Sequence, residues 1–480
     1  ALSSAASDVY KRQVYEIMNK MKIKILLYPL CMALLLSSCH IYKQYSRPEV
    51  DTQGLYRDPV STTDTLVSDT SNMANLPWEQ VFTDPDLQAL IRLGLERNTD
   101  LQAALLRVKE AQASLMTSRL SYLPSLSLAP QGGVSSFDKS HGSWSWSLPV
   151  VGSWEIDLFG KILNTKRAAK AALLQSEAYQ QAVQTQVVAA IANYYYMLLM
   201  LDKQLEITEE TSVLWKKNVE TMRAMKEAAM VNEAGVVQSE ANYYMVLASM
   251  ADLKNQIRET ENSLSLLLRQ APQKIARGRI EDQQLPTVLQ AGVPIQLLGN
   301  RPDVKVAEMA LAGTYYNTNE ARAAFYPQIT INGTYGWTNQ AGNLITNPGK
   351  MIASVIGSLT QPLFYRGANI ARLKIAKAQQ QEALLSFEQA ILNAGSEVSN
   401  ALNLYQTAQD KIVQREKQIE SLEKSVEYTQ ELLTLGTSTY LEVLTAQQSL
   451  FSAQLSGIAD EFQRMQAVVN LYHALGGGVK

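Results

Sequence analysis

Hydrophobic and polar positions along this chain switch between two rhythms, and the whole sequence of switches occurs twice. Helical periodicity begins near Asp86 and runs to Tyr122, and after Pro124 the pattern changes to steps of two. Leu126 and Leu128 alternate with Ser125 and Ser127, and Trp144, Trp146, Leu148 and Val150 alternate with Ser143, Ser145 and Ser147. From Lys161 to Val231 there is neither Pro nor Gly, which predicts one helix of about 100 Å at about 1.5 Å per residue. The second half repeats this order. Asp303 to Pro327 matches Asp100 to Pro124 in length, and Ile329, Ile331, Tyr335 and Trp337 then alternate with Gln328, Thr330, Asn332 and Thr334. Ala368 to Leu435 is interrupted only by Gly395. Gly235 and Gly436 are expected to end the long helices in a left-handed residue and turn the chain back. Repeats of this length duplicate a half rather than stack as solenoid units.

The helical runs carry a seam. Ile391, Val398, Tyr405, Ile412, Ile419, Val426 and Leu433 recur every seven residues. Leu441, Leu444, Gln448, Phe451, Leu455, Ile458, Phe462, Met465, Val469 and Tyr472 alternate steps of three and four. A sustained pattern of that kind predicts coiled-coil packing, and Ala394, Ala401 and Ala408 leave room for a close neighbour.

Charge changes the picture of the strands. Charged residues make up 18% of the chain, against about a quarter in ordinary soluble domains. Between Phe325 and Tyr365 the one charge is Lys350. A soluble sheet places Lys or Glu on its wet face, whereas this one offers Ser, Thr, Asn and Gln. Segments of period two with aromatics towards their ends suit a transmembrane β-barrel, and a half-buried soluble hairpin is the ordinary alternative. No segment after residue 40 reaches the roughly 18 apolar residues of a spanning helix, so any crossing is by strands. Four strands cannot close a barrel, because the smallest single-chain bacterial barrels use about eight. Open edges in hydrocarbon cost several kcal/mol per unpaired backbone group, so spanning strands must be pooled between chains.

The N-terminus reads as an address. Residues 1–20 precede Met21 without a signal's pattern and are expected to be a non-native extension. Met21-Lys-Ile-Lys24, the apolar run Ile25 to Leu36 and Ser37-Ser38 describe a signal peptide over 21–38. Leu36-Ser37-Ser38-Cys39 resembles a bacterial lipobox, in which Cys39 would be lipidated; a plain secretory signal containing a cysteine is the alternative. Cys31 falls within the removed segment, so no disulfide is expected within the mature chain. Residues 39–76 are polar and read as an extended tether. The remainder divides into a first repeat over 77–270, a linking equatorial segment over 271–300 and a second repeat over 301–478.

Trp78 with Phe82-Thr-Asp-Pro-Asp-Leu87, Asn98-Thr-Asp-Leu101, Trp154-Glu-Ile-Asp-Leu-Phe-Gly160-Lys161, Asn300-Arg-Pro-Asp303, Ala324-Phe-Tyr-Pro327, Gly436-Thr-Ser-Thr-Tyr-Leu-Glu-Val-Leu444 and Leu471-Tyr-His-Ala-Leu-Gly-Gly-Gly478 occur in this order and spacing. Together they resemble the TolC-like outer-membrane efflux ducts, in particular the lipoprotein branch that serves tripartite (RND-type) pumps, over nearly all of residues 36–478. The resemblance implies a mainly α fold with a membrane β part. Each chain would carry two long helical hairpins and four transmembrane strands. Three chains would pool a twelve-stranded barrel continued by a helical periplasmic tunnel. It further implies a homotrimer, anchored in outer-membrane lipid and working with a periplasmic adaptor and an inner-membrane RND-type transporter. Small toxic compounds or drugs would pass without chemistry. Duct-type protein secretion and a solid adhesive coiled coil are the rival readings.

Within that resemblance Gly235 and Gly436 mark the hairpin turns at the tunnel tip. Related turns can carry a basic residue and a second acid that help hold the tip closed; here those places are Ser438 and Thr445, and Glu442 alone is acidic. Glu442 is therefore either one of three carboxylates ringing a gate or a solvated acid favoured by the helix dipole. The clusters Lys161, Lys166, Arg167, Lys170 and Arg366, Arg372, Lys374, Lys377 either meet lipid phosphates or lie on solvated faces. The balance of 43 basic against 45 acidic residues gives no nucleic-acid footprint. His40, His141 and His473 lack a metal-ligand spacing, Met222, Met225 and Met230 fit a helical core, and no nucleophile motif or phosphate loop occurs, so neither enzyme, cofactor nor metal is expected.

Overall fold

The computed structural model describes residues 42–49, 76–136, 142–285, 301–341 and 344–478. The expected signal peptide over 21–38, the lipidation candidate Cys39, His40 and His141 lie outside the described residues. The chain divides into two compact units.

The first unit draws on residues 110–174 and 308–385 with the N-terminal segment to 48. Its centre is one antiparallel sheet of β1 (Ser125–Leu128), β2 (Gln131–Ser135), β3 (Ser143–Ile156), β4 (Gln328–Ala341) and β5 (Leu344–Thr360). The order is β1-β3-β4-β5, with β2 also on β3. β1 and β2 pair with successive stretches of the same strand, Val150–Ser153 and Ser143–Ser147. Between them Ala129 N still donates to Pro149 O at 3.0 Å, whereas Pro130 has no N–H to offer. The pair is therefore one strand interrupted at a proline, and the sheet has the four positions expected. β4 carries an irregularity between Thr338 and Gln340. There the Asn339 side chain completes the ladder, accepting from Trp146 N at 2.7 Å and donating to Trp144 O at 2.9 Å. Gly336 is obligatory, because a Cβ would fall 2.2 Å from Leu148 O.

The helices are as long as the Pro-free runs require. α1 (Trp78–Val81), α2 (Pro85–Arg97) and α3 (Thr99–Leu120) precede the first strands. α4 (Lys161–Glu227) and α5 (Glu233–Leu267) form the first hairpin, α6 (Pro302–Ala323) opens the second half, and α7 (Ala368–Thr434) and α8 (Tyr440–Ala474) form the second hairpin. No described helix is long and apolar enough to cross a membrane.

The second unit draws on residues 49–109, 175–307 and 386–480. Its main core joins Phe82, Leu87 and Ile91 to Val188, Ile191, Tyr195 and Leu198 of α4, and to Val398 of α7 and Met465, Val469 and Tyr472 of α8. Ala394, Ala401 and Ala408 are all buried, as their spacing along the seam anticipates.

Candidate functional site

The sheet has two faces of opposite character. Its register aligns Leu128, Val150, Tyr335 and Ala353 in one row, Leu148, Trp337 and Met351 in the next, and Ile156, Ile329 and Leu359 in a third. These rows form a face of almost unbroken apolar side chains. It is uncovered: Leu126 and Trp144 are each 73% exposed and Val355 78%. The opposite face is mainly polar, interrupted by Pro149, Val151, Ile352 and Ile356. On it Ser153 Oγ donates to Asn332 Oδ1 at 2.9 Å and the Thr330 and Ser358 hydroxyls share a bond of 2.7 Å.

Aromatic rings mark both ends of the apolar band. Trp144 and Trp146 stand at one end, while Trp337 and Tyr335 align with Leu148 and Val150 nearer the middle. At the other, Trp154 Nε1 donates to Tyr122 O at 2.9 Å, and Phe159 stacks on Tyr326 with centroids 4.9 Å apart. Trp144 to Trp154 spans about 33 Å of strand, or about 25 Å of membrane at the usual barrel tilt, which matches the apolar height of outer-membrane barrels. An uncovered apolar face of this kind marks a membrane or partner surface, and its height is that of a bilayer's apolar layer.

The chain re-enters helix below this band through short polar caps. Asp157 Oδ2 accepts from Leu163 N at 2.7 Å, Gly160 takes φ +70°, and Glu155 pairs with Lys161 at 3.0 Å. Much of the basic cluster is engaged within the chain: Lys166 lies 5.3 Å from the Tyr122 ring, Arg167 lies 5.8 Å from Tyr316, and Arg372 pairs with Glu320 at 2.6 Å. The described part of the tether is docked rather than loose. Arg47 pairs with Glu308 at 2.9 Å, Tyr315 Oη donates to Lys43 O at 2.9 Å, and Tyr45 meets Tyr315 edge-on at 5.8 Å.

The two helix-hairpin turns lie in the second unit. Gly436 takes φ +73° two residues past the end of α7, and Gly436 N donates to Leu433 O at 3.1 Å. Gly235 does not end the first hairpin's long helix. It lies within the first turn of α5, where its N–H donates to the Asn232 cap at 3.1 Å, and the left-handed residue of that turn is Ala229, φ 58°. What Gly235 supplies is space, since a Cβ there would stand 2.5 Å from Met222 Cε. Asn232, immediately before α5, was the legible signal, being a strong N-cap.

Between the turns is a cavity of about 760 Å³ lined by Met222, Met225, Met230, Gly235, Leu433 and Tyr440, among others. Behind it Trp215, Met222, Val236, Val246, Leu444 and Phe451 pack the two hairpins of the chain together. Burial pushes the Tyr440 hydroxyl up to about 12, so this ring is neutral at any physiological pH. Glu442 is exposed on the first turn of α8 and accepts a short hydrogen bond from Ser438 Oγ. Thr445 bonds its own helix at Leu441 O, 2.8 Å away. The first turn is held by ion pairs, Arg223 with Glu240 at 2.6 Å and Lys226 with Glu233.

The remaining motifs prove to be latches. Asp84 caps α2 through Asp86 N and Leu87 N, and also accepts from Tyr195 Oη at 2.7 Å and Gln283 Nε2 at 2.6 Å. Burial opposes that charge, yet the four hydrogen bonds leave its pKa below the usual carboxylate value. Asn98 caps α3 through Asp100 N and Leu101 N, both at 3.0 Å, and donates to Leu267 O. Arg301, 3% exposed, binds Asp303, Glu397 and the carbonyl of Ala474. Tyr472 Oη donates to Leu76 O at 2.8 Å and accepts from Gly478 N at 2.9 Å. In the 271–285 stretch, Arg277 grips Asp202 and Glu261. No periodicity announced that last site.

Known proteins share this architecture. The family model for the outer membrane efflux protein matches residues 90–268 and 293–477. The cation efflux system protein CusC of Escherichia coli K12 is 29% identical over 455 residues, covering 94% of this chain and 99% of that protein. The probable outer membrane lipoprotein SilC of Salmonella typhimurium is 30% identical over 415 residues, with 84% and 88% covered. The crystal structure of the open state of the Neisseria gonorrhoeae MtrE outer membrane channel superposes with a TM-score of 0.82 at 27% identity, over 92% of this chain and 99% of that one. With its uncovered apolar sheet face, long helical hairpins and interlocking side-chain latches, this chain belongs to the outer membrane efflux protein family.

Proposed function

We propose that three copies of this chain assemble into the exit duct of a tripartite efflux pump, anchored through a lipidated Cys39. The observation that carries this reading is the sheet, with one apolar face uncovered and backbone edges open on β1–β2 and β5. In hydrocarbon both edges must be satisfied, and neighbouring copies supply the matching partners. The polar Ser, Thr, Asn and Gln face then lines a water-filled lumen. The helical hairpins continue the conduit towards a periplasmic adaptor and an inner-membrane RND-type transporter. Small toxic compounds or drugs are the cargo, and the duct conducts them passively, while energy and selection come from the transporter.

Glu442 is the gate residue in this reading. Its carboxylate is exposed at the second turn, held by Ser438 of the same turn, and three copies would gather like charges at the mouth. The test is single-channel current from purified, lipidated protein in planar bilayers. Wild type should show small or rare openings, and Glu442→Gln should enlarge them or shift their ion selectivity. Current indifferent to the substitution would remove Glu442 from the gate and keep the duct. Silence from an intact trimer, wild type and variant alike, would favour a solid coiled-coil stalk.

A further inference from the structure

The strands carry almost no charge. Over 125–136, 143–156, 328–341 and 344–360 the ionisable acids and bases are Glu155 and Lys350. Glu155 is neutralised by Lys161 at 3.0 Å. Lys350 has no ion pair among the described residues and is exposed. Its face is fixed by register. Lys350 pairs with Thr338 and Thr338 with Ser147, so all three stand on the polar side. Met351 pairs with Trp337 and Trp337 with Leu148, on the apolar side. Lys350 lies near the end of the sheet that carries the short β4–β5 connection and the Trp144–Trp146 aromatics.

We infer that Lys350 forms a ring of three ammonium groups in the outer part of the lumen and gives the barrel its anion preference. This rests on the pooled trimeric barrel proposed above. Twelve strands spaced about 4.8 Å apart and tilted about 40° enclose a radius of about 12 Å. An inward lysine then sits about 6 Å from the axis, within the Debye length of about 10 Å at 0.1 M salt. The three fields overlap across the whole bore, and the adjoining β1–β2 stretch, Ser125 to Ser136, brings no acid to cancel them. Screened Coulomb sums put the local anion excess at roughly tenfold or more near 0.1 M, falling below about threefold at 1 M. Three positive charges at the exit hold anionic cargo and counter-ions of cationic cargo, and discourage cations from re-entering from outside.

Two measurements test this. In the first, Lys350→Cys and Met351→Cys cells are treated with a membrane-impermeant thiol reagent from outside, a readout independent of any periplasmic gate. Position 350 should react and position 351 should be shielded by lipid. In the second, reversal potentials are measured across a tenfold KCl gradient near 0.1 M for wild type, Lys350→Gln and Lys350→Glu. Anion over cation permeability should fall severalfold at each step, and the differences should shrink about threefold or more in gradients near 1 M. Labelling at 351 but not at 350, or equal reversal potentials in conducting channels, overturns the ring. Absence of both current and labelling at 350 in an intact trimer overturns the pooled lumen, and the ring with it.

Discussion

Replacing Arg277 by Met removes one guanidinium from a site that holds two acids. Arg277 Nη2 donates to Asp202 Oδ1 at 2.9 Å, and Nη1 reaches both Glu261 Oε1 at 2.6 Å and Ile275 O at 3.0 Å. The two acids respond differently to its loss. Asp202 is 39% exposed and takes up water, whereas Glu261 is 11% exposed and keeps its charge in a nearly dry place. Breaking a buried pair by removing one partner costs about 3–5 kcal/mol, and the solvated half of this site brings the expectation to about 2–3 kcal/mol. The loss is local, because Arg277 fastens an irregular segment rather than a core helix. The assay is hydrogen exchange at the amides of Ile275 and Gly278, which donate to Glu261 and to Tyr195 Oη. Their protection should fall between about thirtyfold and a hundredfold, since about 1.4 kcal/mol is a factor of ten, and trypsin should cut at Lys274 or Arg279. Adding Glu261→Gln should restore more than half of the protection. Exchange within about threefold of wild type, or a double variant no better than the single, would refute the buried-charge argument.

Other substitutions separate backbone from side-chain effects. Gly436→Ala meets nothing within 4 Å but must hold φ +73°, so it should lose about 1 kcal/mol by thermal unfolding of the hairpin. Ala229→Gly should gain a similar amount by relieving φ 58°. Gly235→Ala should be close to neutral, because helix propensity of about 1 kcal/mol offsets displacement of the flexible Met222 tip. His473 has its pKa lowered, first by burial and then by Arg301. The unfolded chain therefore binds its proton more readily, and stability is full above about pH 6.5 and declines as pH falls below it. That slope cannot exceed about 1.4 kcal/mol per pH unit for one proton. A melting-temperature profile of His473→Gln that keeps the wild-type slope between pH 6.5 and 5 would exclude this group as the source.

Periodicity made the strands and long helices legible because burial of a stripe or a face is a repetitive demand. β1 over Ser125–Leu128 and the runs of α4 and α7 follow the pattern within a few residues of the expected ends. Single-residue geometry was less legible. Gly235 looks like a turn glycine by position, yet the turn is completed by Ala229, and Gly235 answers to the Met222 side chain of another helix. The latches at Arg277 and Asn339 depend on partners far away in sequence, Asp202 and Glu261 for one and the Trp144–Trp146 backbone for the other. The docking of Tyr45 and Arg47 was hidden for the same reason, since a polar, Pro-containing segment reads as tether whether or not it finds a surface. Glu442 was visible in sequence as the one acid of its turn, and the structure adds its exposure and its Ser438 donor.

The two unpaired edges of the sheet carry a consequence for the cell's genetics. Each copy depends on others to finish both sides of its sheet, so a copy with one spoiled edge is not merely inactive. It occupies a place among competent copies and leaves a seam that lipid cannot tolerate. Proline placed in the ladder of β5, for instance at Ala353 or Val355, should therefore behave as a dominant allele when expressed beside the wild type. A proline among residues 43–47, which form no strand, should be recessive. Before assembly the same naked edges and oily face are open to wrong pairing and aggregation, so over-expression should strain the envelope before it changes transport.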